Sequence, residues 1–287
     1  DLPEMDAYRL PNVWQNDNLF PEVKDPRGHA NDRGAPAGWI ANIDPEGKRW
    51  ELVSAGFRNP FDLDFNDQGD MFVYDSDMEW DLGMPWYRPT RICHVTSGSE
   101  FGWRTGNGKW SPAYPDNLPP VLNIGQGSPT NVVFGRGAKF PERYQKSIYA
   151  FDWSFGIIYA IHLQPNGSTY EGDREEFLSG IPLPLTDGVI GPDGAMYFMT
   201  GGRRLDSDLY RVHYVGDESV AAATDKTELT EGNKIRRELE TYHSGPKQGA
   251  VDFAWPYLNN EDRFIQYAAR VAIEHQPLSE WQNKVYT

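Results

Sequence analysis

Asp62-Leu63-Asp64-Phe65-Asn66-Asp67-Gln68-Gly69-Asp70-Met71-Phe72 is echoed further along the chain by Asp187-Gly188-Val189-Ile190-Gly191-Pro192-Asp193-Gly194-Ala195-Met196-Tyr197. Each stretch reads as a strand, a tight turn and a second strand. Gly69 and Gly194 stand where such a turn demands positive φ. A second element also recurs. Trp39-Ile40-Ala41-Asn42-Ile43-Asp44-Pro45-Glu46-Gly47 resembles Ile158-Tyr159-Ala160-Ile161-His162-Leu163-Gln164-Pro165-Asn166-Gly167, and Arg91–Val95 and Asp208–Val212 read as further copies of its strand. The copies lie roughly 50 to 70 residues apart, the period of four-stranded blades with inserted loops. The expected fold is therefore mainly β, a partial β-propeller of about four blades. A β-sandwich with coincidental Asp-Gly turns is the alternative, and the recurrence of two different elements in one order favours the propeller. A ring with so few blades leaves exposed edges, so a partner chain or a missing segment is expected to complete it.

The composition changes near residue 216. Residues 1–215 hold the strand-like runs, 216–232 form a linker of small and charged residues, and 233–287 turn helical. Phe264, Ile265, Ala268, Ala269, Val271 and Ala272 share one helical face, with Asn260 as the expected N-cap and Pro277 as the stop. Lys234–Tyr242 and Ala250–Leu258 read as further helices, and another helical pattern begins at Leu278. Both ends of the chain read as cuts through domains.

The chain has 287 residues, with 27 Lys plus Arg against 42 Asp plus Glu, a formal charge of −15. That balance argues against nucleic acid as a partner, because no basic field exists to displace phosphate counterions. Ten Trp, 15 Tyr and 14 Phe, with 28 Gly and 22 Pro, fit short strands, many turns and buried rings. A single cysteine, Cys93, excludes an intrachain disulfide framework, and no Cys-x-x-Cys-His exists to attach a c-type haem. No run approaches the ~18 apolar residues of a membrane helix. The opening residues carry no leader pattern, which leaves location open.

Gly56-Phe57-Arg58-Asn59-Pro60-Phe61-Asp62, Tyr74-Asp75-Ser76-Asp77-Met78-Glu79-Trp80-Asp81, Trp86–Arg91 and Ser99–Arg104 resemble a planctomycete-type family of large exported proteins. These are labelled membrane-bound dehydrogenases or haem-binding Cys-x-x-Cys-His proteins. The resemblance extends to Gly201–Arg204 and Tyr267–Ala272. It implies a glucose/sorbosone-dehydrogenase-like propeller followed by HEAT-type helical repeats, with this chain covering the later blades and the start of the HEAT region. It also implies an exported, periplasmic or extracellular location and a cytochrome partner outside this chain.

The Gly-x-Arg-Asn-Pro motif is shared with quinoprotein (PQQ) sugar dehydrogenases, and the resemblance carries cofactor contact to Arg58 and Asn59. A guanidinium suits quinone carboxylates; the alternative is that Arg58 pairs with a nearby Asp and Asn59-Pro60 opens a blade. Alternation along a strand puts Asp75 and Asp77 on one face, and paired carboxylates attract a cation such as Ca²⁺. Glu79 and Asp81 read instead as partners for Arg88 and Arg91. His29, in a polar loop after Gly28, is a candidate general base, and Asp152 mimics Asp75 in blade register as a second catalytic candidate. Trp80 and Trp103 suit stacking on a sugar, although burial between blades accounts for such indoles too; Arg203, from the last blade, is a further substrate candidate, the alternative being that it pairs with Asp206 or Asp208. Trp153-Ser154-Phe155 stands where quinoprotein dehydrogenases place basic residues, which argues against PQQ.

Three functional readings stand at this point. The first is a carbohydrate- or alcohol-oxidising dehydrogenase-like propeller that passes electrons to a cytochrome outside the chain. The second is a non-catalytic propeller that binds a carbohydrate or a protein. The third is a metal-dependent hydrolase, lactonase or glycosidase.

Overall fold

The computed structural model describes residues 2–11, 22–28, 30–106, 111, 113–223 and 228–286. Its strands fall into four sheets of three or four strands and one two-stranded ribbon. The first sheet holds β1 (Ala7–Tyr8), β2 (Gly38–Ile43) and β3 (Trp50–Phe57) in the order β1-β3-β2. The second runs β4 (Pro60–Phe65), β5 (Met71–Asp75), β8 (Thr90–Val95) and β9 (Leu122–Gly125). Between β5 and β8 the ribbon β6 (Met78–Asp81) and β7 (Met84–Arg88) projects. The third sheet runs β10 (Pro129–Phe134), β11 (Ile148–Asp152), β12 (Ile157–Asn166) and β13 (Thr169–Ser179), with helix α1 (Glu142–Gln145) inserted after β10. The fourth holds β14 (Leu185–Ile190), β15 (Met196–Thr200) and β16 (Leu209–Val212).

The second, third and fourth sheets are antiparallel meanders, each entered through its first strand. Those first strands stand side by side. Asn131, third residue of β10, donates from Nδ2 to Asp62 at 2.9 Å and to Asp187 at 2.8 Å, and those two aspartates are the third residues of β4 and β14. This is the arrangement of successive propeller blades, and among the described residues it does not close into a ring. The expected turns form: Gly69 and Gly194 have φ of 79° and 83°, and β4–β5 and β14–β15 pair across them.

Apolar side chains fill the spaces between sheets. Phe72, Tyr74 and Ile92 meet Val132, Phe134 and Ile148 between the second and third sheets. Phe151, Ile158 and Ala160 meet Leu185, Met196 and Phe198 between the third and fourth. Fully burying each such side chain contributes about 1.5–3 kcal/mol, so the inter-sheet layers hold the arc together.

The C-terminal helices are α2 (Glu231–Glu240), α3 (Ala250–Ala254), α4 (Arg263–Glu274) and α5 (Leu278–Trp281). Thr230 caps α2 by accepting from Asn233 N. The N-cap of α4 is Asp262 rather than the expected Asn260. Asp262 Oδ1 accepts from the Phe264 and Ile265 N–H groups, while Asn260 Oδ1 accepts from Asp262 N and orients the cap. The apolar face of α4 serves two partners. Ile265, Ala268 and Ala269 face α2 and α3, whereas Phe264, Tyr267 and Val271 cover Val73, Cys93 and Val95 of the second sheet. A buried ion cluster fixes α2 to the β4–β5 turn. Asp70 accepts from Arg236 and Arg237 at 3.0 Å each and from Tyr170 at 2.6 Å. Burial raises the Asp70 carboxyl, but His94, Arg236 and Tyr170 outweigh burial and hold it well below the usual range.

Candidate functional site

Three strand ends meet at one mouth of the arc. Asp75 closes β5 and pairs in register with Pro60, the first residue of β4. Asp152 closes β11 and pairs with Pro129, the first residue of β10. The two aspartates thus share one position in successive sheets, as their sequence contexts suggest. Thr200 takes the same place in the fourth sheet, opposite Leu185.

Asp75 is fully buried, and both of its oxygens are taken by donors. Oδ1 accepts from Arg58 N, Asn59 N and Ser76 N at 2.9–3.0 Å, and Oδ2 accepts from Arg91 Nε at 3.1 Å and Nη2 at 3.0 Å. It shapes the backbone that presents Arg58. The strand ends at Asp75, so alternation does not extend to Asp77, which sits in the turn before β6. The two carboxylates do not offer a shared pair of free oxygens to Ca²⁺. Among the described residues, no three His, Cys, Asp or Glu side chains are grouped so that they could hold a metal ion.

Asp152 has the same backbone frame and different company. Its Oδ1 accepts from Ser128 N (3.2 Å), Ser154 N (2.8 Å) and Phe155 N (3.1 Å). Its buried Oδ2 has no hydrogen-bond partner among the described residues. The register position held by Arg91 opposite Asp75 is held by Ile157 opposite Asp152. A Cβ on Gly127 would collide with that Oδ2, so any other residue there would displace the Asp152 carboxyl. Burial pushes the Asp152 carboxyl above the ordinary aspartate range. Asp77, also buried, accepts from the Gly127 backbone, and burial together with the neighbouring Glu79 and Asp152 charges pushes it up to about 6.

Beside these carboxyls opens a cleft of about 880 Å³, bordered by Trp39, Arg58, Asn59, Ser76, Trp103 and Pro129 among others. Arg58 lies 3.7 Å from Glu79 and donates from Nε to Met78 Sδ at 3.3 Å. With its amide oriented to satisfy both contacts, Asn59 donates to the Arg58 carbonyl and accepts from Arg58 Nη1, each at 2.9 Å. Trp103 is buried against Met78, and its carbonyl accepts from Arg104, which pairs with the buried Glu100. Trp80 lies away from this lining, under the Arg27 guanidinium at 4.6 Å. Arg203 stacks over Trp153 at 5.4 Å and is likewise not among the cleft residues. His29 falls outside the described residues. Of the nine predicted site residues, the structure brings Arg58, Asn59 and Trp103 to the cleft; Asp75, Asp77 and Asp152 are buried and are not among its lining residues, although Asp75 holds the Arg58 and Asn59 N–H groups.

PQQ, with its three carboxylates, would need several free cationic donors in the cleft. The guanidiniums bordering the cleft are Arg33 and Arg58, and each faces a carboxylate at 3.7 Å, Asp32 and Glu79 respectively. Asn59 is turned back on Arg58. The described residues do not fit a PQQ cradle by themselves. Cys93 is no nucleophile: burial raises its thiol to about 12.

No protein-family model matches the chain, and no curated protein matches it. Solved structures share part of its arrangement. A glucose dehydrogenase matches at 20% identity and TM-score 0.47, over 60% of this chain and 50% of its own. The PQQ-bound aldose sugar dehydrogenase of Streptomyces coelicolor matches at 17% and 0.45, over 61% and 51%. The apo aldose sugar dehydrogenase of Escherichia coli matches at 20% and 0.42, over 55% and 46%. The chain spans about half the length of these structures. No helix among the described residues is long and apolar enough to cross a membrane.

Proposed function

We propose that the mouth cleft binds a sugar or polyol, and that the chain is the substrate-holding part of a sugar- or alcohol-oxidising, dehydrogenase-like propeller. The observation that carries this reading is the joint lining of one cleft by an indole, a guanidinium and a hydroxyl, Trp39, Arg58 and Ser76, with the buried Trp103 in its wall. Indole faces stack on the C–H face of a sugar, and the polar groups bond its hydroxyls. Alcohol oxidation removes a proton from oxygen and a hydride from carbon. Asp77, next to Ser76 and poised at about 6, is the group suited to take that proton near neutral pH. The hydride would need a two-electron acceptor of the quinone class, held with the help of residues outside those described, which would pass its electrons on singly. In the same reading the protein is exported, helices α2–α5 open a HEAT-type array, and a cytochrome receives the electrons. The poor fit to PQQ favours a second reading, carbohydrate binding without turnover.

Titration of the protein with monosaccharides and polyols, followed by calorimetry and tryptophan fluorescence, separates these readings. Saturable binding that weakens about tenfold in Arg58→Ala, the loss of roughly one charge-assisted contact, supports the cleft assignment. Absence of binding refutes it. Binding with no dye reduction after PQQ and Ca²⁺ are added selects the second reading.

A further inference from the structure

Apart from β1, which pairs in parallel with β3 on the side away from β2, the first sheet is half of a blade. In the second and third sheets, the fourth strands β9 and β13 lead directly to the first strands of the next sheet, β10 and β14. β3 leads to β4 in the same way, through Arg58 and Asn59 alone. β3 is therefore a fourth strand, and its hairpin partner β2 is a third strand, matching the β12–β13 hairpin that its sequence resembles. β8 and β12 each have a second strand on their inner side, β5 and β11. β2 has none among the described residues and ends the sheet.

The space where that strand would lie is a groove of about 290 Å³ between β2 and β4, lined by Trp39, Ile40, Ala41, Phe61, Leu63 and Val73, among others. β4 turns Asp62 and Asp64 towards β10 and leaves Phe61, Leu63 and Phe65 on its other face, where Phe61 is 67% exposed. A row of apolar side chains on an inner strand is costly to leave in water, and a free strand edge is a template for pairing.

We propose that this groove is the docking site of an antiparallel β-hairpin from outside these 287 residues, which adds first and second strands to the edge of β2. The side-by-side packing already seen at β4–β10 and β10–β14 would continue across Phe61, Leu63 and Phe65. A second copy of the chain is a poorer occupant, because its own first and second strands are already built into its sheets. The hairpin would also complete the candidate site. Trp39, Pro60 and Phe61 border both the groove and the mouth cleft, so the incoming strands form a wall of that cleft. This inference rests on the repeat and stands whether or not the cleft takes a sugar.

The chain's own first-and-second-strand unit, residues 128–153, supplies a probe, since it fills the equivalent place in the third sheet. Appending a copy of it through a Gly/Ser linker before Asp1 makes the pairing intramolecular. Hydrogen exchange should then slow at least about tenfold at the β2 amides of residues 40–42, and the appended strands should themselves be protected. Leu63→Lys in the fused chain should abolish both effects. Appended strands that exchange as a free peptide, with β2 unchanged, overturn the proposal. So does protection that persists in Leu63→Lys, or unfused protein that already buries the groove by dimerising in sedimentation equilibrium. Sugar titration of the unfused protein reads the functional proposal separately.

Discussion

Asp75 and Asp152 hold one position in two successive sheets. Each closes a second strand, pairs with the proline that opens the first strand, and accepts a fan of backbone N–H groups. In the second sheet the third strand adds Arg91, which takes the remaining oxygen of Asp75. In the third sheet the third strand offers Ile157, and Oδ2 of Asp152 is left buried and unpaired among the described residues. One residue across a ladder thus separates a structural anchor from a carboxyl that burial raises above the ordinary aspartate range. Asp77 lies between the two frames and is raised in part by Asp152.

The largest effect is expected where the comparison is most unequal. Asp75→Ala strands a buried guanidinium and several N–H groups, and should cost about 3–5 kcal/mol in urea unfolding. A cost below about 1 kcal/mol would mean that Asp75 is not the anchor described. Asp77→Asn should act in the opposite direction. The folded carboxyl titrates at about 6 against an ordinary 3.8, so its ionisation disfavours the fold as pH rises through that window. At pH 7 the variant should be more stable than wild type by about 1–2 kcal/mol, after allowance for water at the open mouth, and at pH 3.5 the two should agree. An advantage that is the same at both pH values would remove the electrostatic explanation. Glu79→Gln is the finer probe. It deletes one of the charges that raise Asp77, so the Asp77 midpoint in a carboxyl NMR titration should fall while the fold persists.

Strand pairs were legible because Asp-Gly turns and alternating apolar residues are local signals, and the Ala-rich face of α4 was legible for the same reason. The register that equates Asp75 with Asp152 could be read from their flanking apolar runs. Their unequal partners could not, because Arg91 and Ile157 matter only once the strands are laid side by side. Asp70 with Arg236 is a longer-range case: burial brings together a turn and a helix that no sequence pattern links. The exchange of Asn260 for Asp262 as helix cap reflects two adjacent residues competing for one role. Asn131, which ties the first strands together, was not singled out because a lone Asn in a strand carries no distinctive signal. The half-blade at β2–β3 emerges only from the strand order, in which β2 has no inner neighbour among the described residues.

The difference between the two aspartates is tested most directly by following the Asp152 side-chain carboxyl with ¹³C NMR across pH, in wild type and in Ile157→Arg. The account predicts a wild-type midpoint above the ordinary aspartate value, and a clear downward move once an arginine stands opposite Asp152 as Arg91 stands opposite Asp75. A wild-type midpoint at or below the ordinary value, unmoved by Ile157→Arg, would contradict it.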